Sequence, residues 1–129
     1  MTDANIRIMR YNNLAFLRHI GQGNPSHVIV DLQAAYTRTL AQQQILSSIV
    51  TAPGRVASWI CAVHPEAYEV LTGDYPEGDW YYKVHIVEGA ERPWEVEIFR
   101  KRGSTFAQAL KMPVTQFTAQ ELADLEQRV

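Results

Sequence analysis

The sequence predicts an α+β fold with two N-terminal helices, an antiparallel β-meander of three to four strands, and C-terminal helices packed on one sheet face. Apolar residues recur at helical spacing up to residue 51 and alternate with polar residues between 79 and 102. A capped helical pattern then closes the chain. At 129 residues the chain is long enough for one core, so we expect a single domain over residues 1–129.

The first predicted helix covers residues 3–20. Gly21 and Gly23 follow it, and either can adopt the left-handed backbone conformation that is common where helices end. The expected face contains one polar residue and five apolar residues at three- and four-residue spacing: Asn13, with Ile6, Met9, Phe16, Leu17 and Ile20.

The second predicted helix covers residues 25–51. Asn24 suits the N-cap and Pro25 suits the first helical position. The alternative makes residues 27–30 a short strand and starts the helix at Asp31. A helix of this length would extend about 40 Å. Its apolar stripe would then outrun the sheet beneath it, which predicts a homodimer through helix 25–51.

Residues 55–63 form a continuous apolar run, "RVASWICAV", and are predicted as a buried strand. Residues 66–72 are predicted as a second strand, with a short helix after Pro65 as the alternative. Residues 74–79, "DYPEGD", have the composition of a loop.

The segment 79–102 predicts a hairpin whose two strands each alternate between a dry and a wet face. We predict a register in which the numbers of facing residues sum to 180, because every cross-strand pair is then compatible; a sum of 182 is the alternative. The dry pairs are Ile86–Trp94, Val84–Val96 and Tyr82–Ile98, and the wet pairs are His85–Glu95, Lys83–Glu97 and Tyr81–Phe99.

Two helices are predicted after the hairpin. Residues 103–111 suit a short helix with Ser104 or Thr105 as its cap. The last helix begins with a capping box formed by Thr118 and Glu121, and Phe117 and Leu122 occupy the positions of a hydrophobic staple.

Composition excludes several classes of protein. A net charge of −2 argues against a dedicated nucleic-acid binder. Cys61 is the one cysteine and has no partner for an internal disulfide, so a reducing, cytoplasmic compartment is expected. No apolar stretch approaches the roughly 20 residues of a membrane span. Cys61 itself lies within the apolar run and is predicted to be a core residue, not a nucleophile.

The candidate sites are surfaces, because no catalytic or cofactor motif occurs. The histidines are scattered without zinc-ligand spacing, so neither a metal nor a cofactor is predicted; a site assembled in space from His64, His85 and Glu95 is the alternative. The partner-binding candidates are Tyr81, Lys83, His85, Glu95, Glu97, Phe99, Arg100, Lys101 and Arg102. The candidates for a pocket between sheet and helices are Trp59, His64, Tyr68 and His85.

These observations predict a small cytoplasmic interaction domain, of adaptor, chaperone-like or regulatory type, without enzymatic activity and with a protein partner. The first alternative is a small-molecule-binding or enzymatic domain that uses the predicted pocket. The second is a nucleic-acid-binding module that uses Lys83 and the basic segment 100–102, because aromatic and basic side chains on a sheet can stack and hold bases.

Overall fold

The computed structural model describes residues 2–45, 52–64, 66–71, 78–86 and 93–127. Within these ranges the chain forms six strands, three α-helices and one 3₁₀ turn, so the predicted α+β class is confirmed. The order of elements differs from the predicted one. The elements are β1 (Ala4–Arg10), β2 (Asn13–His19), α1 (Pro25–Ile45), α2 (Pro53–Val63), β3 (Ala67–Val70), β4 (Trp80–His85), β5 (Glu95–Arg102), β6 (Thr105–Pro113), the 3₁₀ turn Val114–Gln116 and α3 (Ala119–Gln127).

The sheet is mixed and has the strand order β3-β2-β1-β4-β5-β6. Two antiparallel three-stranded halves meet at its centre, where β1 and β4 run parallel. The predicted meander is therefore only partly present: β4 and β5 pair as predicted, but β3 lies in the other half of the sheet, and residues 55–63 are helical. Strands β1, β2 and β6 were not predicted.

The prediction of a helix at residues 3–20 is wrong, because these residues form the hairpin β1–β2. Arg10 pairs with Asn13, so only two residues make the turn. The first of them, Tyr11, has a φ of 52°, a left-handed conformation that tight turns require and that usually selects Gly or Asn. Ile6 and Ile8 are buried with a period of two, and the helical spacing of the other apolar residues is coincidental.

Helix α1 confirms the single second helix and shows that the strand alternative at residues 27–30 is wrong. The Asn24 carbonyl accepts hydrogen bonds from the His27 and Val28 N–H groups, so Asn24 occupies the predicted N-cap position. Residues 46–51 lie outside the described ranges. In the part of α1 whose side chains are described, Val30 is the one strongly exposed large apolar residue. A homodimer through this helix stays a prediction.

The prediction of a strand at residues 55–63 is also wrong, because they belong to α2. The helix buries Pro53, Val56, Ala57 and Ile60, which have helical spacing. Val63 is 57% exposed, so not every apolar residue of the run belongs to the buried face of α2. A continuous apolar run does not reveal its period, and here the helical period applies.

Strand β3 confirms the strand predicted at residues 66–72, and the hairpin β4–β5 confirms the register in which facing residues sum to 180. The pairs Tyr81–Phe99, Lys83–Glu97 and His85–Glu95 all occur as predicted. The predicted turn lies largely in residues 87–92, outside the described ranges. Most of the predicted loop at 74–79 lies outside them as well.

The prediction of a short helix at residues 103–111 is wrong, because β6 runs from Thr105 to Pro113 and pairs with β5. Gly103 has a φ of 63° and makes a two-residue turn with Ser104. The segment "TFAQALK" contains several good helix formers, but pairing with β5 overrides that weak preference.

Helix α3 begins as predicted. The Glu121 N–H donates to the Thr118 hydroxyl at 3.2 Å, and the Thr118 N–H donates to the Glu121 carboxylate at 3.3 Å. These reciprocal bonds form the capping box. Phe117 and Leu122, the predicted staple residues, are both buried.

The core lies between the helices and one face of the sheet. Tyr82 crosses it, and its hydroxyl donates to the carbonyl of Gly23 at 2.6 Å. A side chain at Gly23 would approach the backbone of Ala4 to 2.6 Å, so only glycine allows the chain entering α1 to pack so closely on β1. None of the helices described is long and apolar enough to cross a membrane.

Candidate functional site

The sheet has two unlike faces. Along β4, Trp80, Tyr82 and Val84 are buried toward the helices, whereas the alternate side chains are only partly buried. We call the face that carries these alternate side chains the outer face. Cross-strand pairing and side-chain contacts place nine residues of interest on it: Arg7, Phe16, Tyr81, Lys83, His85, Glu95, Glu97, Phe99 and Phe106.

Three aromatic rings and one cation form a cluster on the outer face. The Tyr81 ring centroid lies 5.8 Å from that of Phe99 and 5.8 Å from that of Phe106. The Lys83 ammonium lies 5.1 Å from the Phe99 ring centroid and 5.9 Å from that of Tyr81. We call these four residues the aromatic cluster. Such contacts contribute about 0.5–1.5 kcal/mol each, and the rings keep part of their surface in solvent.

The predicted pair Tyr81–Phe99 is therefore present, and Phe106 extends it. Sequence reasoning missed Phe106 because the segment around it was assigned to a helix. Read as a strand, "GSTFAQALK" would have placed Phe106 beside the hairpin, and the Gly-Ser dipeptide before it is the turn signal that could have shown this.

At the other end of the outer face, His85 contacts a carboxylate that is not directly opposite it in the β4–β5 ladder. His85 Nε2 lies 2.7 Å from Glu97 Oε1, although His85 faces Glu95 in the register. The second oxygen of Glu97 accepts a hydrogen bond from the Gln108 amide at 3.2 Å. The carboxylate of Glu95 lies 4.0 Å from the ammonium of Lys111. Both predicted acids are thus paired within the sheet.

The basic segment Arg100, Lys101 and Arg102 lines an open cleft of about 490 Å³ at one end of the sheet. Two carboxylates share its wall, from Asp79 and Glu126. Glu126 also accepts a hydrogen bond of 2.6 Å from the Ser26 N–H at the start of α1. The guanidinium of Arg100 lies 4.9 Å from the Trp80 ring centroid and donates to the Leu125 carbonyl at 3.4 Å. The positive charge of this cleft is therefore partly offset.

The four pocket candidates are not brought together. Tyr68 is 44% exposed on β3 and His85 lies on β4, both on the outer face and away from the helices. Trp59 lies on α2 beneath the guanidinium of Arg38, whose carbon is 5.5 Å from the ring centroid. His64 caps the C-terminal end of α2.

His64 instead meets two side chains that no sequence motif connected to it. Asp31 of α1 places Oδ2 2.5 Å from Nε2 of His64 and 3.7 Å from Nε2 of His19, the last residue of β2. The two imidazole centroids are 4.7 Å apart. We call these three residues the His–Asp–His cluster. Their donor atoms all lie within 4.8 Å of one another, and in the described part of the chain this is the one group of three or more His, Cys, Asp or Glu residues that could hold a metal ion.

Cys61 lies one helical turn before His64 and is half-buried. Burial, and secondly the negative charge of Glu69, raises the pKa of the Cys61 thiol. A raised pKa keeps the sulfur protonated at neutral pH, and a thiol is a poor nucleophile and a poor metal ligand. The structure thus favours an unreactive Cys61.

Comparison with known proteins finds no matching family model, no matching curated protein and no matching solved structure. Functional inference for this chain therefore rests on the outer face, the cleft and the His–Asp–His cluster themselves.

Proposed function

We propose that this protein is an interaction domain that binds an extended segment of a protein partner alongside β6. The observation that carries the proposal is the position of the aromatic cluster, which lies on the outer face next to the edge of the sheet. Phe106 belongs to β6 itself, and Phe99 belongs to its neighbour β5.

The edge of the sheet supports strand addition. Strand β6 has nine residues and ends the strand order, and within the described residues it pairs only with β5. Lys111 is its single charged residue. Natural proteins usually protect a long edge strand with charges, bulges or a covering element, because its unpaired N–H and C=O groups accept another strand. The bulge in the β5–β6 ladder leaves Ala109 of β6 unpaired, between Gln108 opposite Phe99 and Leu110 opposite Ile98. The bulge interrupts the edge of β6 once, and residues 105–108, the stretch that carries Phe106, pair regularly with β5.

The aromatic cluster supplies the side-chain part of recognition. An added strand points alternate side chains at the two faces of the sheet, so every second residue of the partner would reach toward the outer face. Aromatic residues are common among the few residues that dominate binding energy. Tyr81, Phe99 and Phe106 favour apolar or aromatic partner residues, and the Lys83 ammonium favours a neighbouring carboxylate.

The experiment begins with selection of peptides from a random peptide library on the full chain. The selected peptide is then titrated into ¹⁵N-labelled protein, and we expect shifts at the amides of β6 and around Tyr81. Phe106→Ala should weaken binding about tenfold or more. Phe16→Ala is the matched control: this partly buried aromatic lies on the same face, on β2, 5.4 Å beneath the guanidinium carbon of Arg7.

Three outcomes contradict the proposal. The selection yields no peptide that binds the full chain, the amide shifts fall outside β5 and β6, or Phe106→Ala and Phe16→Ala weaken binding equally. A fourth arm uses a single-stranded oligonucleotide. Strongly salt-dependent oligonucleotide binding that is lost in the double variant Arg100→Ala with Arg102→Ala would favour the nucleic-acid alternative.

A further inference from the structure

The His–Asp–His cluster is built from three rigid elements. His19 closes β2, Asp31 lies within α1, and His64 caps α2. His19 is on the helix-facing side of the sheet, because it pairs with the buried Ala4 and the buried Ala67. Sites held by strands and helices keep their geometry better than sites on loops. The convergence of the three side chains is therefore a property of the fold.

Three buried polar atoms of the cluster make no hydrogen bond. His19 is wholly buried, and neither of its ring nitrogens has a hydrogen bond. Asp31 Oδ2 is also buried and accepts no hydrogen bond, because the close approach of His64 Nε2 does not have hydrogen-bond geometry. Buried polar atoms are nearly always paired in folded proteins, so the unpaired Nε2 of His19, which lies 3.7 Å from Asp31 Oδ2, indicates a missing partner between them.

The donor set identifies the chemistry of that partner. Two imidazoles and one carboxylate are the ligands that zinc and non-haem iron sites use, and they leave further coordination positions open. Tetrahedral zinc with ordinary bond lengths holds neighbouring ligand atoms roughly 3.3 Å apart. The distance of 3.7 Å from Asp31 Oδ2 to His19 Nε2 is close to that value, whereas the 2.5 Å to His64 Nε2 is shorter, so Asp31 and His64 must move apart by about 0.8 Å to share an ion.

A proton serves the cluster less well than a metal ion. One proton can join Asp31 to one imidazole, which leaves the nitrogens of the other imidazole buried and unpaired. An ion accepts a lone pair from Asp31, His64 and one nitrogen of His19 at once, and leaves only the other nitrogen of His19 unpaired. The side chain of His64 is 21% exposed and that of Asp31 is 14% exposed, so the ion has a route from solvent past His64.

We propose that His19, Asp31 and His64 bind one divalent transition-metal ion. The proposal is independent of peptide binding at β6, because the His–Asp–His cluster lies between the sheet and the helices and the aromatic cluster lies on the outer face. Zn²⁺ is the probe, since it prefers nitrogen and oxygen donors in this arrangement and has no redox chemistry.

The test is calorimetric titration of Zn²⁺ into the chelator-treated full chain. We expect one ion per chain. Asp31→Asn and His64→Gln should each weaken binding by at least about tenfold, since loss of even an indirect, hydrogen-bonding neighbour of a metal ligand costs 10–100-fold. His27→Ala is the control: His27 is an exposed histidine on α1 outside the cluster, so the variant should bind as the unaltered chain does.

The proposal is overturned if the chain takes up no stoichiometric Zn²⁺, or if Asp31→Asn and His64→Gln bind it as tightly as the unaltered chain. A second measurement uses the unaltered chain, so its result does not depend on whether a variant folds. Zn²⁺ should protect His64, but not His27, from acylation by diethyl pyrocarbonate, with each site followed by mass spectrometry. Equal modification of His64 with and without Zn²⁺ also overturns the proposal.

Discussion

Two histidine–carboxylate pairs lie on opposite sides of the same sheet, and they differ in what surrounds them. On the outer face the His85 ring forms a hydrogen bond with one oxygen of Glu97, and the Gln108 amide donates a hydrogen bond to the other oxygen. The side chain of His85 is 39% exposed, so water reaches it. Among the helices His64 meets Asp31, and the third member, His19, is wholly buried without a hydrogen bond.

The difference shows which observation indicates a ligand. A histidine beside a carboxylate is ordinary on a wet surface, where it contributes about 0–1 kcal/mol and needs nothing further. A ligand is indicated where a third donor converges on such a pair and burial withholds water. By that criterion the outer-face pair is structural, and the buried cluster is the candidate for a metal ion.

The largest expected effect comes from replacing His19 by leucine. This change removes one proposed ligand, so Zn²⁺ affinity should fall by at least about 100-fold. The change also removes two unpaired buried nitrogens, so the free energy of unfolding in the presence of chelator should stay within about 1 kcal/mol of the original. Calorimetric titration and urea unfolding measure the two quantities. A large loss of stability in the presence of chelator would show that His19 makes a bond within the protein, and would contradict the statement that its nitrogens lack a partner there.

A buried polar group that does have a partner should behave in the opposite way. Tyr82→Phe removes the donor to the Gly23 carbonyl and should lower the free energy of unfolding by about 1–2 kcal/mol. Tyr36→Phe is the control, because the ring retains its edge contact with Trp94, 5.2 Å between centroids, and the loss should be smaller. Equal losses in the two variants would show that the bond to Gly23 contributes nothing specific.

Tyr82 should also make the stability of the protein depend on pH in the alkaline range. Burial, and secondly Glu126, raises the pKa of Tyr82 well above its usual value of 10.0. Below pH 10 the phenol is protonated in the folded and unfolded chains alike; above it only the unfolded chain ionises. Stability should therefore fall as the pH rises above 10, and Tyr82→Phe should make that fall shallower in urea unfolding measured across this range. An unchanged slope would contradict the assignment.

The smallest effect is expected on the outer face. Glu97→Gln weakens the pair with His85, and because both groups are partly exposed the free energy of unfolding should change by less than about 1 kcal/mol. Zn²⁺ affinity should not change. Calorimetry of this variant beside Asp31→Asn compares the two carboxylates directly, and a loss of Zn²⁺ binding in Glu97→Gln would reverse their proposed roles.

The sequence predicts those elements whose signals are local. The register of β4 and β5 follows from alternation together with three compatible cross-strand pairs, and the start of α3 follows from a capping box. The hairpin β1–β2 was missed because its turn uses Tyr11 in a conformation that sequence rules assign to Gly or Asn. Strand β6 was missed because its helix-forming residues become a strand only through pairing with β5.

The two candidate sites differ in the same respect. Most of the aromatic cluster was predicted, because Tyr81, Lys83 and Phe99 belong to one hairpin. The His–Asp–His cluster was not predicted, since residues 19, 31 and 64 follow no ligand spacing and come together only when α1 and α2 pack on β2. The sequence also places His19 in the helix predicted at residues 3–20, and it offers Asp31 only as an alternative start of the second helix. Only the tertiary arrangement reveals them as neighbours.

The most direct measurement records the imidazole ¹⁵N signals of all four histidines by NMR while Zn²⁺ is added to the chelator-treated chain. We predict that one equivalent of Zn²⁺ shifts the signals of His19 and His64 and then saturates, while those of His27 and His85 stay unchanged. Shifts at His85, or unchanged signals of His19 and His64 at saturating Zn²⁺, would contradict the assignment of the buried cluster as the metal site.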